Sequence, residues 1–111
     1  MKFYIEIWKA KQAWLDLSIE QRGAYMAQLG PSIQQLAEQG VEIITWADND
    51  ADTFKRVDYD FFAIWKFPTD GLAKAFEDLV NGAGWYNYFD QLNIKGNAGG
   101  PEEIIGKMIN L

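Results

Sequence analysis

The chain contains neither cysteine nor histidine among its 111 residues. Without cysteine there are no disulfides, thiolate metal sites or Cys nucleophiles, and a reducing compartment is permitted without being required. Without histidine the commonest metal ligand and the commonest general base near neutral pH are both missing. That excludes zinc hydrolases, His-ligated haem proteins and His-based triads. Aliphatic hydroxyls are scarce as well, confined to Ser18, Ser32, Thr45, Thr53 and Thr69. Ser18 and Thr69 are accounted for at helix starts, so hydroxyl-nucleophile chemistry is not expected. No apolar run reaches 18 residues, and Met1 to Lys11 carries Glu6 and Lys9 within its apolar stretch, which rules it out as a signal-peptide core.

Basic residues are also in short supply. Ten Lys and Arg stand against sixteen Asp and Glu, for a net charge of −6. Because the bases do not cluster, no nucleic-acid partner is expected. With no signal-peptide core and no long apolar run, a soluble cytoplasmic protein without a membrane partner is expected. Residues 1–111 suit one domain. Area scaling gives roughly 6,200 Å² exposed when folded against roughly 18,400 Å² unfolded, enough burial for a core without staples. What the chain does have is rings: five Trp, five Tyr and seven Phe. Aromatics bury large areas and line pockets and interfaces, so their placement is the main functional clue.

Lys2 to Trp8 alternates Phe3, Ile5 and Ile7 with Tyr4, Glu6 and Trp8, the period of a strand. Lys9 to Leu17 is a connector. Ser18 and Gln21 have capping-box spacing at a helix start, and Ile19, Met26, Leu29, Ile33 and Leu36 keep helical phase through Gly30-Pro31. This predicts one helix, bent at Pro31 and ending at Gly40. Val41 to Trp46 reads as a second strand and Asp58 to Phe67 as a third. Thr69 or Asp70 caps a second helix with Leu72, Ala73, Phe76, Leu79 and Val80 on one stripe, closed by Gly82 or Gly84. Trp85 to Phe89 is a short turn or helix, and Gln91 to Lys95 gives a weak fourth strand. Pro101, Glu102 and Glu103 open a terminal helix.

The order βαββαβ is that of a ferredoxin-like α+β fold, an antiparallel sheet with both helices on one face and here a short C-terminal helix. In a monomer the other face should be polar. It is not: Tyr4 and Trp8 stand opposite the aliphatic set of strand one, Ile44 and Trp46 opposite Val41 and Ile43, and Phe62 and Ile64 opposite Phe61 and Trp65. Leaving such side chains wet forgoes roughly 1.5 to 3 kcal/mol each. A second copy, paired through the helix-free face and enclosing a space, is the simplest cover, with the terminal helix as the competing one.

With Phe3-Tyr4-Ile5-Glu6-Ile7-Trp8 as first strand and Gly84-Trp85-Tyr86-Asn87-Tyr88-Phe89 after the second helix, the chain resembles the dimeric α/β-barrel superfamily. It is most similar to an uncharacterised bacterial family within it. The resemblance implies sheet-to-sheet homodimers. It spans haem-degrading oxygenases, chlorite dismutase relatives, cofactor-independent monooxygenases, isomerases and stress-responsive proteins. Its haem-using branches rely on a His absent here, and no catalytic role carries over residue by residue. No cofactor and no metal are expected.

Candidate binding residues follow from the faces. Tyr4, Glu6 and Trp8 share one, and Lys66 is expected to reach it if strands one and three are neighbours. Glu6 then either serves as a base, with Lys66 holding an anionic substrate group, or pairs with Lys66, or reaches water at the barrel mouth. Trp46, Trp65, Trp85, Tyr86 and Tyr88 either line a cavity for a flat ligand, with Asn87 as its polar contact, or fill core and seam. Asp48, Asp50 and Asp52 imitate a calcium loop, but Thr53 stands where glycine is needed and Tyr59 where a bidentate Glu is needed, so a solvated turn is expected. Three functions remain open: a small-molecule binder, a cofactor-independent oxygenase or isomerase, and a ligand-free dimeric scaffold.

Overall fold

The computed structural model describes residues 1–111. Four strands, β1 (Lys2–Ala10), β2 (Glu42–Asp48), β3 (Phe61–Phe67) and β4 (Phe89–Asn97), form one antiparallel sheet in the order β2-β3-β1-β4. Between and after them lie α1 (Gln12–Leu15), α2 (Ile19–Glu38), α3 (Asp70–Gly82), α4 (Trp85–Tyr88) and α5 (Pro101–Ile109). This is the ferredoxin-like arrangement with a C-terminal helix.

The helix starts follow local chemistry. The Ser18 hydroxyl accepts from the Gln21 N–H while the Gln21 side chain accepts from the Ser18 N–H, a reciprocal cap that satisfies two orphan donors. Thr69 accepts from the Leu72 N–H and does the same single-handed for α3. α2 runs on through Pro31, whose ring removes one backbone donor without ending the helix. The break after α3 is made by Gly84 at φ +76°, where an added Cβ would stand 3.2 Å from the Asn87 amide nitrogen.

Register fixes which side chains share a face. β1 pairs with β3 so that Tyr4 lies opposite Trp65 and Glu6 opposite Ala63, and with β4 so that Glu6 lies opposite Asn93 and Trp8 opposite Gln91. Tyr4, Trp8, Ala63, Trp65, Phe67 and Phe89 are buried against Leu36, Ala73, Phe76 and Trp85 of the helical layer. The aromatic set of β1 therefore faces the helices, and Phe3, Ile5 and Ile7 face away. On the helix-free side they are joined by Phe62 and Ile64 of β3 and by Leu92 and Ile94 of β4.

One irregularity changes a face. A register shift between Ile43 and Thr45 sets Ile43 opposite Trp65 and Trp46 opposite Ala63. Strict alternation couples Trp46 with Ile44, whereas the bulge couples it with Ile43 on the helix-facing side. The helical layer is also uneven: α3 approaches β1 and β3 closely, while α2 leans on α3 and stands further off the sheet. α5 buries no residue. Replacing Ser18 with alanine removes the reciprocal cap and should lower stability by about 1 kcal/mol, read as a reduced urea midpoint at unchanged slope.

Candidate binding site

Where α2 stands off the sheet, space remains between the layers. An inner cavity of about 40 Å³ is lined by Glu6, Trp46, Trp65 and Trp85 together with Leu29, Ile33 and Leu36 of α2 and Phe76, Leu79 and Val80 of α3. A polar space of some 10 to 15 Å³ already admits one water, so this one holds a few atoms. A wider and more open pocket of about 320 Å³ adjoins it, walled by Trp8, Trp14, Met26, Trp46, Phe61, Trp85 and Phe89. Trp46 and Trp85 belong to both.

The single polar residue of the inner wall is Glu6, 4% exposed at the middle of β1. Its Oε1 accepts from the Trp65 indole N–H at 2.6 Å and its Oε2 from the Gln91 amide at 2.7 Å. Gln91 in turn accepts from the Trp85 indole at 2.7 Å and donates to Asn93 at 2.8 Å. No buried side-chain nitrogen or oxygen lacks a partner.

No cation joins this network. Hydrogen bonds to a charged acceptor contribute about 1.5–3 kcal/mol each, whereas desolvating a carboxylate costs several kcal/mol. The two donors therefore do not fully offset burial. Burial accordingly pushes the Glu6 carboxyl above its ordinary value, with Gln91 and Trp65 pulling the other way. Burial likewise raises the neighbouring Tyr4 phenol, reinforced by Glu77, Tyr86 and Glu6.

The rings pack edge to face. Trp8 lies 5.1 Å from Trp46 and 6.0 Å from Trp85, and Trp46 lies 6.2 Å from Trp65. Trp85 stacks on Phe89 at 4.2 Å. Such pairs contribute about 0.5–1.5 kcal/mol each beyond buried area, so the wall is held by its own contacts.

Of the residues singled out from sequence, Glu6, Trp46, Trp65 and Trp85 meet at the inner cavity and Trp8 joins at the outer one. Tyr4 lies beneath, packed edge-on against Phe67 and Phe76. Lys66 does not reach Glu6. It pairs with Phe3 in the ladder, so it projects from the helix-free face, where its ammonium lies 3.8 Å from Glu42. The two strands are neighbours, as the expectation for Lys66 required, but alternation puts an odd-numbered β3 residue, Trp65, on the Glu6 side instead. Asn87 is exposed beside Gly84 and lines neither cavity. Tyr88 packs on Trp14 and Tyr25 at 5.5 and 5.0 Å, again outside both cavities. The aromatic spaces thus lie between a sheet and its own helices, not across the helix-free face.

Gln91 and Asn93 are the polar contacts that sequence reasoning missed. The available signal was that Phe89, Gln91, Asn93 and Lys95 share one strand parity, opposite Leu92 and Ile94. Around Asp48 to Asp60 the turn is tied internally: Asn49 donates to the Val57 and Tyr59 carbonyls, and Arg56 to those of Asp50 and Tyr59.

A family profile described as "Family of unknown function (DUF6616)" matches residues 1–111. No curated protein matches the chain. Among solved structures, the crystal structure of a protein provisionally assigned as a chlorite dismutase superposes with a TM-score of 0.66 at 14% identity, over 96% of this chain and 48% of that one. This chain thus spans about half the length of that neighbour, and the likeness establishes the fold. A 5-chloro-2-hydroxyhydroquinone dehydrochlorinase from Burkholderia phenoliruptrix AC1100, in complex with 2,5-dihydroxybenzoquinone, superposes with a TM-score of 0.45 at 17% identity, over 93% of this chain and 98% of that one. No helix is long and apolar enough to cross a membrane.

The raised Glu6 carboxyl has a signed consequence. The folded state holds its proton more tightly than the unfolded chain, so Glu6's stability contribution is greatest below its ordinary pKa of 4.5 and declines as pH rises through the higher folded value. Urea unfolding of wild type and Glu6→Gln from pH 4 to 8 should show the wild-type advantage shrinking as pH rises. An advantage that grows with pH would contradict the assignment.

Proposed function

Since the chain belongs to the DUF6616 family of unknown function, we propose from its own geometry that it binds a small, largely apolar molecule in the cleft between the sheet and α2. The observation that carries this reading is a lone buried carboxylate, Glu6, on the wall of an otherwise apolar inner cavity that shares Trp46 and Trp85 with a second apolar pocket. A pocket of apolar walls with a few convergent polar groups is what orients a small ligand. The outer pocket accepts the body of the molecule, and Glu6 receives a proton-donating group at its tip. A cytoplasmic setting fits a chain without cysteine.

A second reading is favoured by the raised Glu6 carboxyl. A desolvated carboxylate whose protonated form is stabilised is a stronger base when ionised, suited to cofactor-independent proton abstraction in an isomerase or oxygenase. Full turnover by Glu6→Gln on any substrate identified would remove Glu6 as that base.

The working unit in this reading is a homodimer closed through the helix-free face. Phe3, Leu92 and Ile94 are exposed there, above the row of Ile5, Ile7, Phe62 and Ile64. The chain exposes 7621 Å², against roughly 6,200 Å² for a compact monomer of its mass. Its radius of gyration is 16.1 Å, against about 13 Å expected. The surplus, on the order of 1,400 Å², exceeds the roughly 800 Å² per partner that a stable interface buries.

Titration with 2-naphthol should quench tryptophan emission saturably, with Glu6→Gln weakening binding about tenfold. Absence of saturable quenching together with an unchanged spectrum would refute the binding reading. Light scattering should give twice the 12.7 kDa protomer mass, and Ile94→Lys should return it to the protomer value.

A further inference from the structure

We propose that the cleft selects an organic cation, a small substituted ammonium, over neutral or acidic molecules of the same shape. This rests on the reading that the cleft binds a small molecule, and it names that molecule's charge. The only charged group on either cavity wall is the Glu6 carboxylate, and both of its hydrogen-bond donors, the Trp65 indole and the Gln91 amide, are neutral. A buried carboxylate is stabilised by a positive partner, and the protein supplies none.

The nearby cations are engaged elsewhere. The Lys66 ammonium lies on the other face beside Glu42, Lys95 is held by Asp70 and Glu77, and Lys9 faces Asp58. Lys11 donates to the Tyr86 carbonyl, and Arg22 to those of Trp14 and Leu15. An acidic ligand would meet an unbalanced carboxylate in a chain of net charge −6.

The outer pocket supplies the complementary surface. Trp8, Trp14, Trp46 and Trp85, with Phe61 and Phe89, wall it with ring systems whose faces carry negative charge density. Several rings around one space form the arrangement that attracts alkylammonium groups, most strongly where water is excluded. Arg22 already lies over one of these rings, its guanidinium carbon 6.0 Å from the Trp14 centroid. A ligand ammonium between Trp46 and Trp85, which wall both spaces, would have aromatic faces around it and the carboxylate ahead of it.

The test compares choline with 3,3-dimethylbutan-1-ol, which replaces the ammonium nitrogen with carbon at nearly unchanged shape. Calorimetric titration of the full chain at pH 8 should give at least tenfold tighter binding of choline. Glu6→Gln should reduce that preference to below threefold. Trp46→Leu, at a position 47% exposed, with far-UV circular dichroism confirming the fold, should weaken choline more than the alcohol. Equal or tighter binding of the alcohol, or a choline preference untouched by both substitutions, overturns the inference. If 2-naphthol binds and choline does not, the cation preference fails while the cleft stands as a binding site. If none of the three binds, both fall.

Discussion

A carboxylate held away from water in the middle of a strand constrains everything packed around it. Glu6 sits where a ferredoxin-like sheet would ordinarily place a hydrophobe, and each of its oxygens needs a donor from a different element. Trp65 of β3 supplies one and Gln91 of β4 the other, so the two strands flanking β1 are both tied to the same side chain. Trp85 of α4 then secures Gln91 through its indole, which couples the helix–strand junction to the sheet. The network leaves no buried polar atom unsatisfied, yet it contains no positive charge. It is well determined in geometry and unbalanced in electrostatics.

The same register that gathers these groups leaves the sheet with two unlike apolar faces. One carries aromatic rings and the single carboxylate, covered incompletely because α2 stands off. The other carries Phe3, Ile5, Ile7, Phe62, Ile64, Leu92 and Ile94, with no helix over it. The two cavities lie on the aromatic side, within one chain, and the aliphatic side has none.

Much of this was legible in the residues. Ser18 with Gln21 and Thr69 with its stripe announced α2 and α3, and the alternation of Lys2 to Trp8 announced β1. Both faces of the sheet could be seen to be apolar from parity alone. Parity could not say which face the helices would choose, because aromatic and aliphatic sets are both hydrophobic enough to be buried. It failed for Trp46, where one extra residue in β2 reverses the alternation, a choice made by pairing with β3 rather than by local sequence. It failed for Lys66 because neighbouring strands bring residues close without bringing them to the same side. Gln91 was hidden for a different reason: a glutamine in a weakly patterned strand declares its role only when its partners Glu6 and Trp85, 85 and 6 residues away, are brought to it.

Pro31 lies in α2 between Leu29 and Ile33, both on the inner cavity, with Met26 of the outer pocket further toward the N-terminus. A proline has no N–H to offer the carbonyl of Ala27, so the helical ladder has a seam there. The two halves of α2 are joined more weakly at that point than anywhere else along their length. The N-terminal half is held by the Tyr25 hydroxyl on the Ala83 carbonyl and the C-terminal half by Leu36 in the core, so each is anchored independently of the weakened ladder between them. The helix over the inner cavity is therefore jointed, and its softest joint falls beside that cavity.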